Sequence, residues 1–168
     1  MLGYTVAGET GLGAGDRLIG AVAGILLAEG WRLAGVVQSN TEGTPGRACL
    51  MDLTVLGSGE RVRISQDLGA GSRGCRLDPA GLETAVGLVE RSLSSGPRLL
   101  IVNKFGKQEA EGRGFRPLIG RALAEGVPVL TTVSAKNLAA FEGFAGGLGE
   151  RLVPGEGDVL DWCRRVAS

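Results

Sequence analysis

The feature that most constrains the fold is a strand, a glycine-rich loop and a helix in immediate succession at the start of the chain. The apolar run at 2–7 predicts a strand, and a helical pattern of apolar residues follows over 16–27. The loop between them consists of Gly8, Glu9, Thr10, Gly11, Leu12, Gly13, Ala14 and Gly15. Such a turn directs backbone N–H groups and a helix N-terminus at an anion. All eight loop residues are therefore predicted to bind an anion or a nucleotide.

The loop keeps only part of the P-loop pattern. Gly8 and Gly13 have the Gly-x-x-x-x-Gly spacing, but Ala14 and Gly15 occupy the positions of the P-loop Lys and Ser or Thr. A lysine contact with phosphate contributes about 1.5–3 kcal/mol, and the hydroxyl is a magnesium ligand, so efficient triphosphate hydrolysis is not expected. The alternative is a plain tight turn that needs glycine for backbone geometry alone.

Two charged residues open the predicted helix. Arg17 can return part of the positive charge that the loop lacks, whereas Asp16 beside it cancels part of that charge. Both residues are assigned to the anion site because they stand in the first helical turn.

Composition excludes several classes of function. A chain of 168 residues, 43% of them apolar, is expected to form one domain over 1–168. Its 18 basic and 18 acidic residues leave no net charge to favour nucleic acid or a membrane surface. The absence of a long uncharged apolar run and of a basic signal segment predicts a cytoplasmic protein. The chain has no histidine, which excludes His-based acid–base catalysis and His metal ligands.

The cysteines are few and widely spaced, without a CxxC pair. They are Cys49, Cys75 and Cys163. This pattern predicts reduced thiols and no zinc site. Cys75 lies in a second glycine-rich stretch with Ser72, Arg73 and Arg76, where two guanidinium groups would lower the thiol pKa. A buried, inert thiol is the alternative.

Strands and helices alternate along the rest of the chain. Further strands are predicted at 31–38, 99–102 and 127–133, a hairpin at 49–56 and 61–66, and helices at 79–95, 116–125, 137–152 and 156–166. The strand at 99–102 has no polar face, which is typical of a parallel sheet covered on both sides. The pattern predicts an α/β fold with a mainly parallel sheet flanked by helices and an inserted antiparallel hairpin.

The second half of the candidate site lies at the carboxyl ends of the strands, where such sheets bind ligands. Asn103 and Lys104 follow the buried strand at the point where a P-loop enzyme has an aspartate for magnesium. An anion site without a metal is therefore predicted, unless Lys104 is simply a solvated lysine. Gln38 ends another strand, and Arg113 and Arg116 form an Arg clamp unless their segment is an exposed, self-paired turn.

The guanine-reading loops of GTPases are an alternative interpretation of the same edge. Asn103 and Lys104, followed later by Ser134-Ala135-Lys136, match two of those loops in type and separation. The fourth position of the first loop is Gly106, however, where the guanine ring requires an aspartate. The GTPase interpretation is therefore not favoured.

Several stretches resemble one small bacterial family, domain of unknown function 2478. They are the loop at 8–15, Ser65-Gln66-Asp67-Leu68-Gly69, Cys75-Arg76-Leu77-Asp78-Pro79 and the segment 102–114 that contains Asn103-Lys104-Phe105-Gly106. The resemblance covers nearly the whole chain. It implies a fold similar to the three-layer sandwich of P-loop nucleoside-triphosphatases and a link to molybdate uptake or nitrogen fixation. It assigns no catalytic residues.

The sequence thus leads to one function and two alternatives. The first is a P-loop-like protein that binds a nucleotide, ATP or ADP, or a phosphate, with weak or absent hydrolysis. The second is a non-enzymatic carrier or sensor for molybdate, tungstate or phosphate. The third is a scaffold that acts through a protein partner or as a homo-oligomer. None of the three requires a metal, a nucleic acid or a membrane.

Overall fold

The computed structural model of the protein describes residues 1–7, 13–41, 49–66 and 76–168. The strands are β1 (Leu2–Ala7), β2 (Leu33–Thr41), β3 (Leu50–Val55), β4 (Arg61–Arg63), β5 (Leu99–Phe105), β6 (Val129–Ser134) and β7 (Gly149–Arg151). The helices are α1 (Ala14–Ala28), α2 (Pro79–Leu93), α3 (Lys107–Ala110), α4 (Arg116–Ala124), α5 (Leu138–Ala145) and α6 (Glu156–Val166). Among these described elements, no helix is long and apolar enough to cross a membrane.

The seven strands form one sheet in the order β4-β3-β2-β5-β6-β1-β7. Parallel pairs join β2 to β5, β5 to β6, β6 to β1 and β1 to β7. Antiparallel pairs join β2 to β3 and β3 to β4. The predicted α/β fold is confirmed, including its inserted antiparallel hairpin.

Helices cover both faces of the sheet because the side chains of β5 alternate between two apolar cores. Leu99 and Ile101 pack in one core with residues of α1 and α6. Leu100 and Val102 pack in the other core with residues of α2, α4 and α5. The result is a three-layer sandwich in which α1 and α2 lie on opposite faces.

Local signals set the ends of the two longest helices. The side chain of Asp78 accepts a hydrogen bond from the Ala80 N–H at 3.1 Å and caps α2, with Pro79 in its first turn. At the end of α1, Gly30 has a φ of 81° and the Trp31 N–H reaches the Leu26 carbonyl at 3.0 Å. This is a Schellman motif, in which a left-handed glycine satisfies the last carbonyls of the helix.

The predicted helix over 137–152 is wrong in its second half. Helix α5 ends at Ala145, and the short strand β7 follows beside β1. Gly146 and Gly147 have φ values of 56° and 85°, a left-handed conformation that ends the helix and reverses the chain. The short helix α3 was also not predicted.

The expectation of reduced thiols is only partly correct. Cys163 is free and fully buried in α6, and this burial raises the pKa of its thiol to about 12. Cys49 is disulfide-bonded, which contradicts the expectation. An odd number of cysteines without a CxxC pair does not reveal which of them come together in the fold. Cys75 lies outside the described residues.

Gly35 lies opposite Ile101 where β2 pairs with β5, and the lack of a side chain at this position allows the two strands to pair. Replacing Gly35 tests this register of the two strands. Gly35 has a φ of 118°, and a Cβ at this position would lie 1.8 Å from the Ile101 carbonyl oxygen. We expect Gly35→Ala to lower the free energy of unfolding by about 4 kcal/mol or to prevent folding, measured by urea denaturation.

Gly24→Ala is the matched control, since a Cβ on this helical glycine meets nothing within 4 Å. It should raise stability by about 0.5–1 kcal/mol. Equal urea midpoints for the wild type and Gly35→Ala would show that the two strands are not paired in this register.

Candidate functional site

Asn103 lies at the centre of the carboxyl edge of the sheet, with only 1% of its surface exposed. Its Oδ1 accepts a hydrogen bond from the Gln38 N–H at 2.9 Å, and its Nδ2 donates to Asp16 Oδ1 at 2.7 Å. Its backbone carbonyl accepts from Thr132 Oγ1 at 2.6 Å. This residue therefore joins α1, β2 and β6 to the end of β5.

The hydrogen bonds of Asn103 belong to a closed network of four residues. Gln38 Nε2 donates to Asn40 Oδ1, and Asn40 Nδ2 donates to Asp16 Oδ2, each at 2.9 Å. Together Asp16, Gln38, Asn40 and Asn103 form what we call the amide network. The three predicted site residues in it are brought together, but their amide and carboxylate groups pair with one another. Asn40 is a member that the sequence did not indicate.

The start of α1 follows Gly13, whose φ is 73° and whose carbonyl accepts from the Arg17 N–H at 3.0 Å. Gly13, the residue at the N-cap position, has no side chain that could cap this helix end. The Arg17 guanidinium lies close by, because a Cβ built on Gly13 would be 3.1 Å from Arg17 Nη1. Backbone donors and a guanidinium therefore meet at the end of the loop. Residues 8–12 lie outside the described part of the chain.

Lys104 and the other two lysines of the chain lie at one cavity. The cavity has a volume of about 320 Å³ and opens beside the amide network, since Gln38 and Asn103 both line it. Within the described residues, Lys104 has no hydrogen bond or ion pair to residues 13–17. Its predicted contact with an anion on the glycine loop stays a prediction.

The two arginines of the predicted clamp, Arg113 and Arg116, form hydrogen bonds with residues close to them in sequence. Arg113 donates to Gln108 Oε1 at 3.0 Å and pairs with Glu111. Arg116 donates to the Glu109 carbonyl at 3.4 Å, and its guanidinium lies 5.0 Å from the Phe144 ring centre. Neither arginine is brought to the cavity that Lys104 lines.

The second glycine-rich stretch is described only at its end. Arg76 is exposed and its carbonyl accepts from the Gln66 N–H at 2.8 Å. Ser72, Arg73 and Cys75 lie outside the described residues. Their proposed contacts with an anion stay predictions.

Glu109 organises the segment after β5, which sequence reasoning treated as a charged turn. It is 3% exposed, and its two carboxylate oxygens accept from the Gly106 and Phe115 N–H groups at 3.0 and 3.1 Å. Burial raises the pKa of this carboxyl group, and the two backbone N–H groups offset only part of that effect. The sequence does not distinguish Glu109 from Glu111, because the burial of Glu109 and its backbone donors depend on the fold.

The raised pKa of Glu109 predicts a pH dependence of stability. Because the folded state favours the protonated acid, the wild type loses stability as the pH rises above the ordinary value of 4.5. This loss is complete once the pH exceeds the raised value. Glu109→Gln removes this titratable group and one hydrogen-bond acceptor, and the loss of the acceptor does not depend on pH. The free energy of unfolding of the wild type should therefore fall relative to that of the variant between pH 4 and 7. Urea unfolding of both proteins across that range measures it, and a flat difference would contradict the assignment.

Exchanging the carboxylate and the amide between Asp16 and Asn103 tests the amide network. Asn103→Asp places a second carboxylate 2.7 Å from Asp16 Oδ1 and should lower the free energy of unfolding by about 2–3 kcal/mol at pH 7.5 in EDTA. The loss should shrink at acid pH, where the two groups share a proton. Adding Asp16→Asn reverses donor and acceptor and should recover most of the stability. If the double variant is no more stable than Asn103→Asp, the two side chains do not form this bond.

Comparison with known proteins agrees with the fold and the sequence pattern. A relative in Bradyrhizobium diazoefficiens, "Molybdenum import ATP-binding protein ModC 2", is 37% identical over 153 residues, which cover 91% of this chain. The aligned part spans 17% of that relative's length. No solved structure matches the chain. The family described as "Protein of unknown function (DUF2478)" matches residues 5–162, and the chain therefore belongs to this family.

Proposed function

We propose that the protein binds a nucleotide or a phosphate group at the glycine loop and the first turn of α1, without efficient hydrolysis. The observation that carries the proposal is the junction at Gly13, where a helix N-terminus with a glycine at its N-cap position and the Arg17 guanidinium lie together. This junction follows β1 at the carboxyl edge of the sheet, where ligands of α/β proteins bind. The Bradyrhizobium relative is named as an ATP-binding protein, which makes ATP and ADP the first nucleotides to test.

Binding without a metal is the second part of the proposal. The position near the end of β5 that would hold a magnesium ligand is Asn103, whose amide oxygen already accepts from the Gln38 N–H and whose amide nitrogen donates to Asp16. Both oxygens of Asp16 accept amide donors as well. A divalent ion would have to displace these bonds, which cost more to break than exposed ones because Asn103 is buried.

Weak or absent hydrolysis follows from the same residues. The chain contains no histidine, and Glu109 uses both carboxylate oxygens on backbone N–H groups. Among the described residues, Asp16 and Glu109 both have their carboxylate oxygens in hydrogen bonds, so neither is expected to activate a water molecule for attack on a phosphate. The bound nucleotide is then a signal or a structural ligand.

A carrier or sensor for a tetrahedral oxyanion is the second candidate. It needs only N–H donors and cations, which are the groups at Gly13 and Arg17. The relative's name refers to molybdenum import, so molybdate and tungstate are tested beside phosphate. A thermal-shift screen that responds to nucleotides but to none of these oxyanions would rule this candidate out.

Restoring the missing P-loop side chains tests the proposal by gain of affinity. A Cβ on Gly15 would lie 3.6 Å from Ala7 Cβ and Thr132 Cγ2, which are ordinary contacts, so Ala14→Lys with Gly15→Ser is expected to fold. The new ammonium should tighten ATP binding by about 10- to 100-fold in isothermal titration, since one charge-assisted hydrogen bond contributes about 1.5–3 kcal/mol.

The matched control is Ala14→Leu with Gly15→Ser, which adds similar bulk without charge and should not increase affinity. Gly13→Val should abolish binding because its φ of 73° disfavours a β-branched residue. If neither the wild type nor the Lys–Ser variant binds ATP, ADP or GTP, the loop is a plain tight turn and the proposal fails.

A further inference from the structure

All three lysines of the chain, Lys104, Lys107 and Lys136, line the same cavity. They come from different parts of the fold: Lys104 from the end of β5, Lys107 from the start of α3 and Lys136 from the 3₁₀ turn after β6. The chain otherwise uses arginine for its positive charge, so the lysines are concentrated at one place. An organised positive rim at a cavity favours an anionic ligand.

The charges of this rim are largely uncompensated. Lys104 and Lys136 are exposed and, among the described residues, neither takes part in an ion pair. Lys107 has one contact with Glu111, at 4.0 Å with both side chains exposed, which contributes little. The acid that lines the cavity, Glu109, is buried and has its oxygens directed at backbone N–H groups.

One part of the cavity wall is apolar. This part includes Val36, Met51, Leu53, Ile64, Leu77 and Leu82. They are contributed by β2, the β3–β4 hairpin and the start of α2, with Phe115 from the segment before α4. Inorganic phosphate would leave these walls unused. A ligand that fills about 320 Å³ must bring an apolar body of its own, and this volume is at the lower end for small-molecule sites.

This cavity is distinct from the glycine loop. Its walls belong to the face covered by α2 and α4, whereas α1 covers the opposite face. Strand β6 separates β5, which carries Lys104, from β1, which leads into the loop. The amide network lies between the two places, because Asn103 lines the cavity and also donates to Asp16 at the start of α1.

We propose that the cavity is a second ligand site, which binds a small organic anion with an apolar body and a phosphate or carboxylate head. The apolar body packs on Val36, Leu53 and Leu82, and the head faces Lys104, Lys107 and Lys136 at the mouth. This assignment goes beyond nucleotide binding at the glycine loop and does not depend on it.

Calorimetric titration with 1-naphthyl phosphate tests both halves of the assignment, with inorganic phosphate and 1-naphthalenemethanol as the two fragments. We expect 1-naphthyl phosphate to bind at least 10-fold more tightly than either fragment. Lys104→Ala with Lys136→Ala should weaken its binding by about 10-fold or more, because two charge-assisted contacts are lost. Binding of the neutral alcohol should be unchanged in that variant.

Arg32→Ala is the matched control, since Arg32 is an exposed cation just before β2, at the opposite edge of the sheet. It should leave the affinity for 1-naphthyl phosphate unchanged. The assignment is overturned if the neutral alcohol binds as tightly as the phosphate ester, if inorganic phosphate does, or if the lysine variant binds like the wild type.

Competition with ATP separates this site from the one proposed at the glycine loop. Saturating ATP should not displace 1-naphthyl phosphate, and Ala14→Lys with Gly15→Ser should not change its affinity. Displacement by ATP would mean one shared site and would overturn the second-site assignment. Binding of 1-naphthyl phosphate by a protein that fails to bind ATP would support the second site while refuting the first.

Discussion

The carboxyl edge of the sheet depends on the buried amide of Asn103. A buried amide needs hydrogen-bond partners, and those of this side chain come from two other elements, α1 and β2, while the backbone carbonyl of the same residue accepts from Thr132 in β6. The bond to Asp16 is charge-assisted and contributes more than the neutral ones. Loss of this side chain would leave Asp16 Oδ1 and the Gln38 N–H without their present partners, so the bond helps to position the start of α1 relative to β5.

This arrangement has consequences for chemistry at the edge. In a metal-dependent phosphate site, the end of the strand and the start of the helix supply ligands to one divalent ion. In this protein the same two places are joined directly by a hydrogen bond between Asn103 and Asp16. The side chains that could have served a metal instead bond to each other between the start of α1 and the cavity. In the proposed function, Arg17 is the described cation at the start of α1.

The layers of the fold were predictable because they depend on local patterns. The four apolar residues at 99–102 indicated a strand buried on both faces, and Asp78 with Pro79 indicated the start of α2. Strand β7 was missed because the apolar pattern continues past Gly146 and Gly147, and among the described strands it pairs with β1 alone, at the edge of the sheet. A three-residue strand has too little local signal to be recognised without its partner.

The site was less predictable, since its contacts join residues that are far apart in sequence. Asp16 and Asn103 are 87 positions apart, and nothing near either residue indicates the other. Lys104 was predicted to bind an anion, but nothing in the sequence places Lys107 and Lys136 beside it, and only the fold brings the three lysines to one cavity. Arg113 and Arg116 were predicted either as a clamp or as a self-paired turn, and the sequence alone could not decide between the two because their contacts with Gln108, Glu111 and Phe144 depend on the fold.

The central claim is that phosphate binding at the glycine loop does not use a metal. Isothermal titration of the wild-type protein with ATP, first in excess MgCl₂ and then in EDTA, tests it most directly. We expect the dissociation constant of ATP to be the same in both buffers, within about a factor of two, and no phosphate to be released. Binding that requires magnesium and is followed by turnover would contradict it, because the amide network would then have to open to admit the ion.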